Sequence, residues 1–215
     1  GSVAAGSIAR WGGVAWSAMG SGADNNVLTL SVLANGSLIA GGSFTTAGGR
    51  GALHAARWNG SAWSPLEEGL AARVYAVVGM PNGDAVAGTA GPIVRRNASG
   101  WSVLGTPPPA SAIDLTGYGS VYALTVLPNG DLVAGGAFVT AGGVLVNRIA
   151  RWNGSAWSGF GGGVDGIFVP QVQAATTMPN GDLVVAGRFD TAGGVPVGNV
   201  ARWTGSVWQA LGAGV

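Results

Sequence analysis

Five copies of one phrase organise this chain. It reads Ile8-Ala-Arg-Trp-Gly-Gly-Val-Ala-Trp16, Ala55-Ala-Arg-Trp-Asn-Gly-Ser-Ala-Trp63, Ile93-Val-Arg-Arg-Asn-Ala-Ser-Gly-Trp101, Ile149-Ala-Arg-Trp-Asn-Gly-Ser-Ala-Trp157 and Val200-Ala-Arg-Trp-Thr-Gly-Ser-Val-Trp208. The closing tryptophans are spaced by 47, 38, 56 and 51 residues, a mean of 48. A period of this length belongs to propellers and solenoids. No window carries a sustained 3.6-residue apolar stripe, which removes solenoids built from helices.

The fourth copy shows what one repeat predicts. Val121–Leu127 is rich in β-branched and large apolar residues and reads as a strand. Asn129-Gly130 comes next, and Asn-Gly between apolar runs predicts a two-residue type I′ hairpin turn. Leu132–Gly136 is the returning strand, and Thr140-Ala-Gly-Gly143 reads as a loop with room for left-handed backbone. Asn147–Trp152 and Ser155–Phe160 are the third and fourth strands, turned at Asn153-Gly154. That register places Trp152 opposite Ser155, Arg151 opposite Ala156 and Ala150 opposite Trp157, with both tryptophans on one face and the arginine on the other. Four antiparallel strands joined by hairpins in about 48 residues make one propeller blade. The inner turn recurs at Asn35-Gly36, Asn82-Gly83 and Asn180-Gly181, the outer one at Asn59-Gly60 and Thr204-Gly205.

The expected fold is therefore all-β: a five-bladed β-propeller of four-stranded antiparallel blades in a single domain, 1–215. The blades run over roughly 1–22, 23–68, 69–105, 118–162 and 167–215. An insertion over 106–117 contains Thr106-Pro-Pro-Pro109 and reads as polyproline-like. The first blade is incomplete: Gly1–Ser7 offers a second strand with no first strand before it. The chain begins inside a repeat, as an excised or processed fragment would. The third blade lacks the Thr-Ala-Gly-Gly loop and has Arg96 where the first Trp of the phrase belongs.

The phrase Leu-Val-Ala-Gly-Gly-x-Phe-x-Thr-Ala-Gly-Gly, continued by Ile-Ala-Arg-Trp-Asn-Gly-Ser-Ala-Trp-Ser, resembles a tandem repeat of large secreted or surface-attached bacterial proteins. It is also similar to a propeller repeat of fungal cortical marker proteins, and more distantly it is kelch-like. The resemblance covers nearly the whole chain. It implies propeller architecture and a secreted or cell-surface setting, and it carries no common activity.

Composition narrows the chemistry. The net charge is +1 and every cation is Arg, which leaves no basic stripe for nucleic acid. Cysteine is absent, so thiol chemistry and disulfides are excluded. No apolar run is long enough for a spanning helix. Among titratable groups, His54 stands alone just before a strand and reads as solvated. Asp84, Asp131 and Asp182 come directly after Asn-Gly turns and serve them; they form an acid–base pair only if they converge on one rim. Glu67-Glu68 reads as an exposed edge. Asp24-Asn25-Asn26 and Asp165 sit in loops without metal-ligand spacing. Asn35, Asn59, Asn97 and Asn153 lie in Asn-x-Ser sequons that coincide with turns. Gly161-Gly-Gly163 has neither the Lys nor the helix of a phosphate loop. No metal or cofactor is expected.

Two repeated sets remain as candidate ligand-binding residues. Arg10, Arg57, Arg95, Arg151 and Arg202 form a ring if the blades are symmetric, able either to bind an anion or to bond strand ends and neighbouring rings. Trp11, Trp58, Trp152 and Trp203 offer aromatic faces to a glycan, or else pack between blades. The expected function is a non-catalytic extracellular scaffold whose partners are other protein chains or copies of itself. The competing expectation is carbohydrate or peptide recognition on one rim. An enzyme needs carboxylates gathered at the channel mouth, which this spacing does not supply.

Overall fold

The computed structural model describes residues 4–104, 113–114 and 119–212. Strands, turns and bends account for all of its regular structure, and no helix occurs among the described residues. The chain divides into two compact units: Gly1–Ala87 with Arg96–Gly100, and Gly88–Arg95 with Trp101–Val215. The division runs through the sheet that holds Val74–Gly79, Ala85–Thr89, Ile93–Asn97 and Gly100–Val103.

Unit 1 opens with a two-stranded hairpin, Ala9–Trp11 against Trp16–Ala18. Residues 4–7 form no strand, so the second strand expected near them is absent there, and residues 1–3 lie outside the described residues. Next comes a four-stranded antiparallel sheet, ordered Val27–Val32, Leu38–Gly42, Ala55–Trp58 and Trp63–Pro65. Its core side packs Ala40, Ala56 and Trp63 against Ile8 and Met19 of the first hairpin.

Unit 2 holds two sheets of the same order. One runs Val121–Val126, Leu132–Gly136, Ile149–Trp152 and Trp157–Gly159; the other runs Gln171–Thr177, Leu183–Arg188, Val200–Trp203 and Trp208–Ala210. Between them, Val133, Ile149, Phe160, Val172, Leu183, Val185 and Trp208 form one buried cluster.

The double glycine of the second strand explains how closely sheets stack. A Cβ on Gly41 would lie 2.4 Å from Val74 Cγ1; one on Gly135 would lie 2.5 Å from Val172 Cγ1, and one on Gly88 2.7 Å from Val121 Cγ1. In each case the valine of the next first strand occupies the space that a side chain would need, and all three valines are buried. The last sheet carries Ala186 at this position.

Three expectations about turns need correction. The Asn-Gly inner turns are not two-residue type I′ turns. Leu33 and Ser37 flank the loop, the Gly36 amide donates to the Leu33 carbonyl, and only the glycine has positive φ, 78° at Gly36 and 89° at Gly130. That is a three-residue loop: a turn ending in a left-handed glycine, which spares Asn a strained φ. The pair with positive φ at both central positions is Gly48-Gly49 (61° and 74°), repeated at Gly142-Gly143 and Gly193-Gly194. Thr-Ala-Gly-Gly is thus no open loop but a tight hairpin, Thr46–Ala47 against Arg50–Gly51, and likewise at Thr140–Ala141 and Thr191–Ala192.

The outer hairpin is also two residues longer than expected. Trp152 pairs with Trp157, Arg151 with Ser158 and Ala150 with Gly159. Asn153 Oδ1 accepts the amides of Ser155 and Ala156 and the Ser155 hydroxyl, closing a four-residue loop. A slip of two leaves every side chain on its expected face. It sets the two tryptophans directly opposite each other, ring centroids 5.3 Å apart. The polyproline-like segment expected at 106–109 lies outside the described residues; within the insertion, Ile113–Asp114 pairs with Thr140–Ala141.

Candidate functional site

Three of the five arginines are bound within their own sheets. Arg57 donates from Nη2 to the Ser37 hydroxyl at 2.8 Å. Arg151 pairs with Asp131 at 3.2 Å, and Arg202 with Asp182 at 3.5 Å while also donating to Gln209 Oε1. Ser37, Asp131 and Asp182 each stand just after an Asn-Gly turn. The third-strand arginine therefore clamps the start of the second strand in its own sheet. Arg95 is engaged as well, and Arg10 is exposed on the first hairpin. The aspartates after the turns are bound locally too: Asn129 and Asn180 donate their side-chain amides to Asp131 and Asp182.

His54 is a bend residue with a left-handed backbone, φ 61°. Its amide donates to the Phe44 carbonyl and its own carbonyl accepts from Gly42. Arg148 and Asn199 make the same two bonds at the same bend in unit 2, with φ 70° and 68°. The imidazole Nδ1 lies 2.7 Å from the Leu70 carbonyl. The position is set by chain reversal, and imidazole is incidental to it.

Asp24 is a structural carboxylate. Its Oδ2 accepts the Thr45 hydroxyl at 2.6 Å and its Oδ1 accepts the amides of Thr45 and Thr46. These bonds, the Thr45 hydroxyl foremost, hold its pKa at about 2. No group of three or more metal-type ligands occurs among the described residues.

Chain corners cover two of the tryptophan pairs, Trp58–Trp63 and Trp203–Trp208. Four strand ends among the described residues run into such a corner: Met19-Gly20, Leu66-Glu67, Phe160-Gly161 and Leu211-Gly212. The second residue is left-handed in all four, with φ of 61°, 52°, 49° and 63°. In unit 1 the Met19 carbonyl accepts Trp63 Nε1 at 2.7 Å, and Gly20 lies against the rings of Trp58 and Trp63. In unit 2 the Phe160 carbonyl accepts Trp208 Nε1 at 2.7 Å, and Gly161 lies against Trp203. At the Leu66 corner the second residue is Glu67, and Arg96 replaces the first Trp and clamps it, its closest N–O distance 2.6 Å. This corner residue and the side chain above it are thus matched. Trp63 and Trp208 are 5% exposed, whereas Trp11 and Trp16, which carry no corner among the described residues, are each 51% exposed.

Beside them runs a row that sequence reading did not single out. Leu28, Leu30 and Val32 project from one face of a first strand and are exposed, Val32 at 67%. The opposite face carries Thr29 and Ser31, whose hydroxyls accept the amides of Val77 and Gly79. An open cleft of about 360 Å³ lies at this place, lined by Ile8, Arg10, Met19, Leu30, Leu38 and Trp58 among others. It brings together Arg10 and Trp58 of the expected set. Alternation along 27–32 carried the signal, since both of its faces are occupied by residues suited to contact.

Residues 127–155 and 179–204 match the model of a domain of unknown function described as a beta-propeller, DUF5122. Among solved structures, the WD40 beta propeller domain of Doa1 is similar at a TM-score of 0.54 and 18% identity, covering 88% of this chain and 53% of that one. The fold is a β-propeller fold. An extracellular domain of a one-component system from B. thetaiotaomicron shares the propeller likeness at a TM-score of 0.54 and 12% identity, over 86% of this chain and 22% of that one. Streptogramin B lyase does so at a TM-score of 0.51 and 12% identity, over 86% and 55%. The chain spans about half or less of the length of these propeller structures. No curated protein sequence matches it. Propellers host unrelated functions, so the site and not the fold must carry a functional reading.

Proposed function

We propose that the chain is a propeller module of five blades, the first incomplete, that acts without catalysis as an extracellular scaffold for contacts between protein chains. The observation that carries this reading is the apolar surface of unit 1, where Trp11, Trp16, Leu28, Leu30 and Val32 are all exposed. Apolar side chains gathered in this way mark interaction sites. The polar candidates point the same way, because Arg57, Arg151 and Arg202 are bound inside their own sheets. The extracellular setting draws support from the surface-protein resemblance of the repeat and from a propeller of an extracellular domain among the similar structures.

A second reading has one observation in its favour. Trp11 and Trp16 form an exposed tilted pair with ring centroids 5.5 Å apart, a surface on which a sugar or peptide can stack. Titration of the purified chain with soluble oligosaccharides, monitored by tryptophan fluorescence, separates the two. A scaffold gives no saturable response and keeps its protein contacts in the presence of sugar. A saturable response that Trp11→Ala abolishes replaces the scaffold reading with glycan recognition.

A further inference from the structure

Arg50 stands where the other copies of its hairpin carry valine. The tight hairpin of unit 1 continues from its glycine pair into Arg50-Gly51, whereas those of unit 2 continue into Val144-Leu145 and Val195-Pro196. Unit 1 thus has a guanidinium in place of a valine, and a glycine in place of a leucine or proline. A Cβ on Gly51 would meet nothing within 4 Å, so the space beside Arg50 is open. Arg50 is exposed and makes no hydrogen bond or ion pair among the described residues.

Arg50 borders a cleft of about 340 Å³, lined also by Ser21, Asn59, Ser61, Trp63, Ser64 and three small residues. That is the size of a site for a small ligand or a short stretch of peptide. Three segments of unit 1 close on it. The Gly48 amide donates to the Gly22 carbonyl at 2.8 Å, which seats the hairpin on the corner that carries Ser21. A Cβ on Gly48 would lie 2.8 Å from Trp63 Cβ, so the hairpin is seated as closely on the fourth strand.

The bonding capacity left in the walls selects the ligand. Asn59 Oδ1 is filled by the Ser61 and Ala62 amides and the Ser61 hydroxyl. Its Nδ2 keeps two N–H donors with no partner among the described residues. Ser61 and Ser64 direct their hydroxyl hydrogens to Asn59 and to the Arg57 carbonyl, and keep lone pairs. Arg50 adds a positive fork of donors. No carboxylate is among the described residues that line the cleft. A positive, donor-rich wall complements a carboxylate, and the serine lone pairs accept an amide N–H beside it. Trp63 is 5% exposed, so the cleft has no open ring face on which a sugar could stack.

We propose that this cleft of unit 1 docks a carboxylate of a partner polypeptide, held by Arg50 and the Asn59 side-chain amide, with Ser61 and Ser64 accepting a neighbouring peptide N–H. This deepens the scaffold reading and rests on it, naming what the partner presents.

NMR titration of the whole chain tests the proposal with four probes. They are acetyl-Gly-Glu amide, with a side-chain carboxylate; acetyl-Gly-Gln, with a terminal one; acetyl-Gly-Gln amide, with none; and sodium glucuronate. At least one carboxylate peptide shifts the Arg50, Ser61 and Ser64 signals saturably, and the neutral peptide does not. The tighter of the two carboxylate peptides tells a side chain from a chain end. Added salt weakens binding. Arg50→Val weakens it about tenfold or more, as loss of a charge-assisted hydrogen bond does, and Arg50→Lys keeps part of it. Valine is the residue of the other two hairpins, so Arg50→Val folds. Asn59→Asp keeps an acceptor for Ser61 and Ala62, preserving the turn, but loses both donors and abolishes binding. Thermal unfolding checks each variant. If the neutral peptide shifts the same signals as strongly, or Arg50→Val binds as the wild type does, charge is not recognised and the proposal falls. If glucuronate binds more tightly than either peptide, the cleft takes an acidic saccharide and the proposal falls. If no probe shifts these signals, the proposal falls alone, because the scaffold reading rests on the apolar surface. A saccharide response that depends on Trp11 and not on Arg50 strikes the scaffold reading instead.

Discussion

At the scale of single residues, the structure assigns ordinary work to most of the chemically suggestive side chains. Asp24 is bound by three donors from Thr45 and Thr46, and its folded pKa of about 2 lies below the ordinary 3.8. Its contribution is complete above the ordinary value and disappears as pH falls through about 2. In an NMR titration, the Thr45 and Thr46 amides should shift with a midpoint near about 2, and Asp24→Asn should abolish that shift. The group is exposed, so global stability moves little. Val169 is a different case. A β-branched residue at φ 37° is strained. Val169→Gly should raise the unfolding free energy by about 1 kcal/mol, measured by denaturant titration; an unchanged or lowered value would show that the loop bears no strain. Neither residue was legible in the sequence. Asp24 gains its donors from a segment some twenty residues away, and a positive φ at valine leaves no mark in composition. His54 was legible only as a residue without chemical neighbours; the bend that defines it emerges when Arg148 and Asn199 are seen to make the same bonds.

At the scale of strands and hairpins, the sequence was most informative about faces and least about turns. Alternation put Trp152 and Trp157 on one face and Arg151 on the other, and the pairing keeps them there. The register escaped because Asn153 closes a four-residue loop through its side chain, an option that Asn-Gly shares with two-residue turns. Asn153→Ala should cost about 1 kcal/mol by removing the acceptor for Ser155 and Ala156, readable as a lowered midpoint in thermal unfolding. The second-strand glycine gives a sharper test. Gly135→Ala places a Cβ 2.5 Å from Val172 Cγ1 and should cost about 1–3 kcal/mol by overpacking. The double change Gly135→Ala/Val172→Ala should recover part of the loss. Were Gly135→Ala neutral, the close stacking of these two sheets would be wrong.

At the scale of the whole molecule, the repeat phrase announced the propeller architecture, and the DUF5122 match and the similar solved structures agree with it. The exposed row Leu28, Leu30 and Val32 was hidden from sequence reading, because the same alternation reads as buried wherever a neighbouring sheet exists. Replacing Leu30 and Val32 by Thr should reduce binding of a hydrophobic dye while changing stability by less than about 0.5 kcal/mol; a large loss of stability would mean that the row is covered in solution. The Asn-Gly turns bear on how such a molecule grows old. Succinimide formation needs the glycine nitrogen to swing onto the asparagine side chain, and a side chain held by its neighbours resists that swing. Asn59 and Asn153 each hold three donors, and Asn82, Asn129 and Asn180 are tied to an aspartate. Among the described residues, Asn35 holds only the Ser37 amide. Deamidation should therefore begin at Asn35, placing the first new negative charge of an ageing copy next to the clefted, apolar side of unit 1.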